Sequence, residues 1–361
     1  MIDLFDNTQV ARAQSACTFE LSLSFVGLRV QVFANTPEIL DYLDDYYASL
    51  TQGGTGTSEI RVFLINDTPD TGGAEWTPVK RSKPSPLGLK EAFVDMPSGR
   101  WIHKVRTGMV MFQSMIDPIA LGDLQHNRAQ VVNFINNQFL NHYQRQGYLL
   151  GHASAFDIGG DTTAIAACSG GGKSTLMLRA LENPEARFLS NDRILFRARD
   201  GQTKVLGLAK HPRVNPGTLV NSSRLASVLP ECERTRFETM PRNELWEVEQ
   251  KYDVLIPEIY GEQKTALEGQ LKNLILLDWS LESTEPTALS PVDAQSTPEA
   301  LEGLRKSAGP FFQAEDGHFP QQKCESAETY ASNLKGVCVW RLTGSVDFDR
   351  AVAQLERQGI L

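Results

Sequence analysis

Three glycines followed by Lys173-Ser174-Thr175 form the stretch of this sequence best suited to chemistry. Backbone N–H groups of such a loop turn inward around a polyphosphate, and a helix that begins near Lys173 directs its positive dipole end at the same anion. Lys173 would reach the β and γ phosphates, while the Ser174 hydroxyl would bind Mg²⁺. The predicted phosphate-binding residues are Ser169, Gly170, Gly171, Gly172, Lys173, Ser174 and Thr175. ATP and Mg²⁺ are therefore the expected ligands.

The residues on either side of this loop distinguish it from an ordinary glycine-rich turn. The run Thr163–Ala166 has the composition of a strand, and Leu176–Leu181 has helical spacing. Ala167 replaces the first glycine of the usual motif, so the motif is near-complete. The order of strand, glycine loop and helix favours phosphate binding.

Two further segments carry candidate site residues. The apolar run Phe188-Leu189 is followed closely by Asp192, and a carboxylate at the end of a strand beside the loop is what a Walker-B-type Mg²⁺ ligand requires. Asp192 is thus the predicted metal ligand, together with Ser174. The stiff basic loop 210–218 contains Arg213 and is suited to holding a phosphate or an acidic substrate group. A structural turn with solvated charges is the alternative for that loop.

Length and composition limit the class of protein. At 361 residues the chain exceeds the usual size of one hydrophobic core, which predicts two domains. A net charge of −9 argues against a nucleic-acid-binding surface. The odd number of cysteines without CxxC pairs fits a reducing compartment. The N-terminus lacks signal-peptide features and no apolar run approaches a membrane span, so we expect a cytoplasmic protein without membrane contact.

The distribution of patterns predicts an α/β (α+β) protein with a domain break after residue 147. Alternating apolar residues between 19 and 32 predict two strands, and residues 130–146 read as a helix that Gly147 ends. Residues 1–147 are expected to form a small N-terminal α+β domain. Residues 148–361 are expected to form a P-loop kinase domain around the glycine loop.

The order of these signals resembles the HPr kinase/phosphorylase family, in particular its B-type HPr-kinase-related bacterial relatives. The resemblance covers Leu149 to about Thr218, and His152 precedes Lys173 by 21 residues, as in the family. It rests on His152, Asp157-Ile158, the glycine loop, Asn191-Asp192-Arg193, Gly207-Leu208 and the loop from Arg213 to Gly217. The segments that resemble only the B-type relatives are Arg106–Val110, Gln130–Phe139 and Leu245–Val254.

The resemblance implies a compact fold akin to phosphoenolpyruvate carboxykinase and Mg-ATP-dependent phosphoryl transfer to a hydroxyl. It places His152 near the transferred phosphate and Arg213 on a loop that meets nucleotide or substrate. Two positions depart from the family, where Asn191 and Lys204 replace acidic residues. An amide cannot accept a proton from an attacking hydroxyl, which argues against HPr as the substrate and against phosphorolysis. Family members often form rings, so a homo-oligomer is compatible with the resemblance.

A kinase acting on a hydroxylated small molecule or a protein serine is the function expected from these residues. Its predicted catalytic residues are His152, Asp192, Lys173 and Arg213, with either Asp192 or His152 as the base. Two other classes remain open. An ATP-binding regulatory or scaffold protein would bind nucleotide and transfer nothing, and an ATP hydrolase would release phosphate without an acceptor.

Overall fold

The computed structural model describes residues 1–51, 58–80, 88–168, 170–320 and 324–361. Contacts between Cα atoms divide the chain into two compact units. The first consists of Met1–Gly147 with Ser307–Cys324, and the second of Tyr148–Lys306 with Glu325–Leu361. Both contain helices and strands, so the chain is a mixed α/β protein with several sheets. Among the described residues, no helix is long and apolar enough to cross a bilayer.

The first unit is built on an eight-stranded sheet of order β2-β3-β4-β10-β9-β8-β7-β6. The strands of the first unit are β1 (Ile2–Asp3), β2 (Phe19–Phe25), β3 (Leu28–Ala34), β4 (Ser58–Asn66), β5 (Pro69–Asp70), β6 (Thr77–Pro78), β7 (Glu91–Met96), β8 (Gly99–Lys104), β9 (Met109–Ser114) and β10 (Ile119–Gly122). Its helices are α1 (Asn7–Ser15), α2 (Glu38–Tyr47) and α3 (Arg128–Arg145). β2 and β3 form an antiparallel hairpin at Gly27, whose φ of +85° favours glycine.

The segment Ser307–Cys324 belongs to the first unit, whereas the sequence predicts one domain over residues 148–361. Asn141 of α3 is 2% exposed and holds this segment with both ends of its side-chain amide. It donates to the Phe311 carbonyl at 2.8 Å and accepts from the Gln313 N–H at 2.8 Å. A buried amide with both groups bonded fixes the segment against α3.

The second unit contains a nine-stranded sheet in which β13, β19 and β21 run parallel and most other pairs are antiparallel. The strands of the second unit are β11 (Leu149–Gly151), β12 (Ala153–Ile158), β13 (Asp161–Ala166), β14 (Ala186–Ser190), β15 (Ile194–Arg199), β16 (Gln202–Gly207), β17 (Arg213–Val214), β18 (Tyr252–Asp253), β19 (Glu268–Ser280), β20 (Ala288–Pro291) and β21 (Cys338–Ser345). Its helices are α4 (Lys173–Ala180), α5 (Pro216–Val220), α6 (Glu231–Glu238), α7 (Arg242–Glu247), α8 (Ile256–Tyr260), α9 (Ala327–Asn333) and α10 (Phe348–Arg357), with 3₁₀ turns at Ala226–Val228 and Pro298–Gly303.

The order of strand, loop and helix at the glycines is present in the second unit. β13 lies between β12 and β19, and all its residues except the first are buried, as expected for a strand covered on both faces. α4 follows and packs Leu176 and Met177 into a core with Phe156 and Ile165. The helix begins immediately after Gly172, whose φ of +91° is readily adopted by glycine.

Asp157 is a buried carboxylate in the hairpin of β12 and β13. It accepts hydrogen bonds from Gly160 N–H at 3.1 Å, the Thr162 hydroxyl at 3.2 Å and the Arg187 guanidinium at 2.7 Å. Because Asp157→Ala leaves these donors without their acceptor, we expect it to lower the free energy of unfolding by about 3 kcal/mol in urea denaturation. Asp161→Ala, at an exposed position in the same hairpin, should cost less than about 0.5 kcal/mol. Equal losses for the two variants would contradict this role.

Candidate functional site

A cleft of about 780 Å³ lies in the second unit, and the glycine loop forms one of its walls. Most of the candidate site residues predicted from the sequence line this cleft, namely His152, Gly170, Gly171, Gly172, Lys173, Ser174, Thr175, Asp192 and Arg213. They come from the residue between β11 and β12, the loop before α4, the first turn of α4, the turn after β14 and the short strand β17. Ser169 lies outside the residues that the structure describes. The fold therefore gathers side chains that are up to 61 positions apart in sequence, from His152 to Arg213.

Lys173 lies at the centre of the loop. Its side chain is 8% exposed, and its ammonium group donates to the carbonyl oxygens of Ala167 at 3.0 Å and Cys168 at 3.1 Å. Burial lowers the pKa of Lys173 to about 8. The loop thus holds a cation at its centre, at the N-terminal end of α4.

Two aromatic residues that the sequence did not identify support the loop from outside. The indole N–H of Trp279 donates to the carbonyl oxygen of Gly171 at 3.0 Å, and its ring packs edge-on against Phe348. A Cβ atom on Gly172 would lie 3.0 Å from the Phe348 ring and 3.3 Å from Trp279. Glycine at 172 therefore serves both the left-handed φ and this close approach.

Ser174 lies against Asn191. Its hydroxyl donates to the side-chain oxygen Oδ1 of Asn191 at 2.7 Å, and the buried Ser154 hydroxyl donates to the same oxygen at 3.0 Å. At the next residue of α4, the hydroxyls of Thr175 and Thr218 are 2.7 Å apart and hydrogen-bonded. These bonds connect the start of α4 to the end of β14 and to α5.

Asp192 lies against His152, with Nε2 and Oδ1 3.4 Å apart. The Asp192 hydrogen bond raises the pKa of His152, but burial and the ammonium groups of Lys173 and Lys306 outweigh it, so this pKa is below its ordinary value. Burial raises the pKa of Asp192, but the His152 bond and the charges of Lys306 and Arg193 outweigh it, and this pKa lies well below the usual range. At neutral pH the pair therefore combines an imidazole that is largely neutral with a carboxylate.

Arg213 lines the cleft but is engaged in an ion pair. β17 and β18 pair antiparallel with Arg213 opposite Asp253, and the Arg213 Nε lies 3.0 Å from an Asp253 carboxylate oxygen. Its guanidinium also donates to the Lys251 carbonyl at 3.4 Å. The loop 210–218 is thus fixed by pairing with another segment, and part of its charge is already balanced.

Apolar side chains also line the cleft. They are Val220 of α5, Phe237 of α6, Met240 of the loop that follows, Leu245 and Trp246 of α7, and Val346 and Phe348 near the start of α10. From the sequence, Leu245–Val254 stood out only through its likeness to the B-type relatives. A cleft that is lined by a cationic loop and by aromatic side chains suits a ligand with a phosphate part and a planar apolar part.

The oxygen donors near the loop fit a magnesium ion shared with phosphate. Ser174, Asn191 and Asp192 offer a hydroxyl, an amide and a carboxylate oxygen, all hard donors of the kind that Mg²⁺ prefers. Within the described residues there is no group of three or more His, Cys, Asp or Glu side chains suited to a metal. Mg²⁺ is seldom held by protein ligands alone, because it keeps waters and binds substrate phosphates, so this donor set fits such an ion.

The comparisons with known proteins show similarity at the level of solved structures alone. The sequence matches no protein-family model, and no curated protein matches it either. Among solved structures, the chain is similar to "Structure of the Hpr(Ser) kinase/phosphatase from Coxiella burnetii", with a TM-score of 0.30 and 10% identity over 58% of this chain and 90% of that one. A likeness this weak carries no argument about fold or function. The functional argument rests on the geometry of the site.

Proposed function

We propose that this chain is a Mg-ATP-dependent kinase that transfers the γ-phosphoryl group to a hydroxyl of a small molecule or a protein serine. The observation that carries the proposal is the convergence of Lys173, Ser174 and the His152–Asp192 pair on one cleft behind a glycine loop. Its volume of about 780 Å³ falls within the range of roughly 300–1,000 Å³ typical of small-molecule sites. The apolar side chains that line the cleft suit a nucleobase.

The roles of the residues follow from the chemistry of phosphoryl transfer. The bond from the γ-phosphorus to the bridging oxygen of the β-phosphate breaks, and a bond to the acceptor oxygen forms, so positioning and neutralisation of charge dominate. Lys173 and the backbone N–H groups of the glycine loop hold the phosphates. Bound Mg²⁺ would neutralise phosphate charge, with Ser174 and Asp192 as the ligands proposed from sequence. Arg213 contributes positive charge at the rim of the cleft.

The acceptor hydroxyl must lose a proton as the new bond forms. His152 is largely neutral and can receive this proton, whereas the low pKa of Asp192 makes its carboxylate a weak base. When His152 receives the proton, the Asp192 carboxylate at 3.4 Å would stabilise the imidazolium that forms. A kinase with this pair therefore does not require an acid at position 191.

Transfer of ³²P from γ-labelled ATP with Mg²⁺ tests the proposal directly. Purified protein is incubated with a cell lysate or a small-molecule extract, beside Asp192→Ala and the control Lys335→Ala, an exposed lysine outside the cleft lining. We expect a labelled product that Asp192→Ala reduces at least about 100-fold and Lys335→Ala leaves unchanged. Label found only as free phosphate would indicate an ATP hydrolase. ATP binding without any movement of label would indicate a nucleotide sensor and would refute the kinase.

A further inference from the structure

The two neighbouring residues Asn191 and Asp192 face different parts of the cleft. Asn191 accepts from Ser174 at 2.7 Å, whereas Asp192 lies against His152 and Arg193, at 3.4 and 3.6 Å. The cause lies in the backbone, because Asp192 has a φ of +74°, in the left-handed region that non-glycine residues seldom adopt. The turn after β14 thus points the amide at the start of α4 and the carboxylate at the histidine.

The amide of Asn191 is held in a defined orientation. Ser174 and Ser154 both donate to its Oδ1, which leaves the amide N–H groups pointing away from Ser174. Ser154 is fully buried, so its hydroxyl keeps that orientation whatever Ser174 does. Ser174 Oγ and Asn191 Oδ1 lie 2.7 Å apart. Adjacent oxygen ligands of an octahedral Mg²⁺ lie about 3 Å apart, so the two oxygens can bind one cation once the Ser174 hydroxyl hydrogen turns away from Asn191.

We propose that Asn191 Oδ1, together with Ser174 Oγ, is a direct ligand of the divalent cation that accompanies the nucleotide. The inference rests on the proposed function, since nucleotide phosphates would supply the other ligands. Both of these protein ligands are neutral. The affinity of an oxygen site for a divalent cation decreases as the negative charge of its ligands decreases. The ion is therefore expected to bind with the nucleotide and only weakly to the protein alone. Asp192 is then left to act with His152 on the acceptor.

A change of metal preference distinguishes a direct ligand from a residue that only supports the loop. A thiolate prefers soft cations, so Asn191→Cys should shift the nucleotide affinity from Mg²⁺ toward Cd²⁺. Binding of a non-hydrolysable ATP analogue is measured by calorimetry under reducing conditions, once in each ion. We expect the ratio of the Cd²⁺ to the Mg²⁺ affinity to rise about tenfold or more over that of the unmodified chain. Cys168 is present in every variant, so the comparison is relative.

Matched variants test the same inference independently. Asn221→Cys changes another asparagine of the cleft, whose side chain bonds the Gly217 carbonyl at 2.7 Å, and should leave the ratio unchanged. Asn191→Asp adds a charged ligand of similar shape and should lower the Mg²⁺ concentration needed for half-maximal binding about tenfold. This variant keeps the inference testable if Asn191→Cys fails to fold.

The possible failures are separable. If Asp192→Cys shows the Cd²⁺ shift and Asn191→Cys does not, Asp192 is the ligand and the inference is wrong. If neither variant at position 191 alters the metal dependence while the unmodified chain binds the analogue with Mg²⁺, the inference also falls, but nucleotide binding stands. If the unmodified chain binds the analogue with neither ion, the proposed function fails, and this inference fails with it.

Discussion

Replacing Lys173 by alanine is expected to reduce phosphoryl transfer at least about 100-fold and to weaken ATP binding. The residue is 8% exposed, and its ammonium group lies within the glycine loop, where it donates to the carbonyl groups of Ala167 and Cys168. A buried cation so placed interacts with phosphate far more strongly than one in water, because the surroundings screen its charge less. Transfer of ³²P and calorimetry with Mg-ATP measure the two effects.

Lys173→Arg separates charge from shape. Arginine keeps the positive charge, but its planar fork cannot replace the compact ammonium between two carbonyl groups, so we expect ATP binding to be retained better than transfer. Thermal unfolding of each variant shows whether the loop still folds. If Lys173→Ala retained more than half of the transfer activity of the unmodified chain, the proposed role of the glycine loop in the reaction would be wrong.

Gly207→Ala is expected to destabilise the second unit by at least about 3 kcal/mol, the largest effect on folding among these predictions. A Cβ atom at this position, the last residue of β16, would lie 1.9 Å from the carbonyl oxygen of Leu189 in β14. Backbone atoms cannot give way as a flexible side chain can. The adjacent N–H of Leu208 donates to the Ser190 hydroxyl at 3.0 Å, so the displacement would reach the turn that holds Asn191.

Gly201→Ala provides the matched control for that measurement. Gly201 has a φ of +79°, but a Cβ atom there would meet nothing within 4 Å. Alanine should therefore cost only the backbone strain of about 1–2 kcal/mol. Urea denaturation followed by circular dichroism compares the two variants, and nucleotide binding should be lost only in Gly207→Ala. Similar losses of stability would show that β14 and β16 can move apart at little cost.

Local patterns were sufficient to predict the central part of the site. The glycine loop, the strand before it and the helix after it follow one another in sequence, so residue type and spacing carry their structure. The strand β14 also follows from the short apolar run Phe188-Leu189. The same reasoning identified Asp192 as a candidate, the family resemblance added His152, and the structure places the two side chains 3.4 Å apart. Their catalytic roles stay predictions.

The features that the sequence did not indicate are one backbone conformation and contacts between residues far apart in sequence. The left-handed φ of Asp192 decides which of two neighbouring side chains meets Ser174, and no residue pattern signals that conformation in an aspartate. In the family resemblance Asn191 replaces an acidic residue, whereas in the structure its amide oxygen accepts hydrogen bonds from Ser174 and Ser154. Trp279 supports the loop from 108 residues away, so its role was visible only in three dimensions.

The position of Ser307–Cys324 in the first unit also bears on how the protein is made. When the ribosome has synthesised Gly147, the binding partners of Asn141 are still about 160 residues away on the message. At about 5–20 residues per second, this delay lasts roughly 8–32 s. Until then the surface of α3 that later receives Phe311 is uncovered, and a nascent chain that stops early leaves it so. Translation must therefore pass Gln313 before the first unit can be complete.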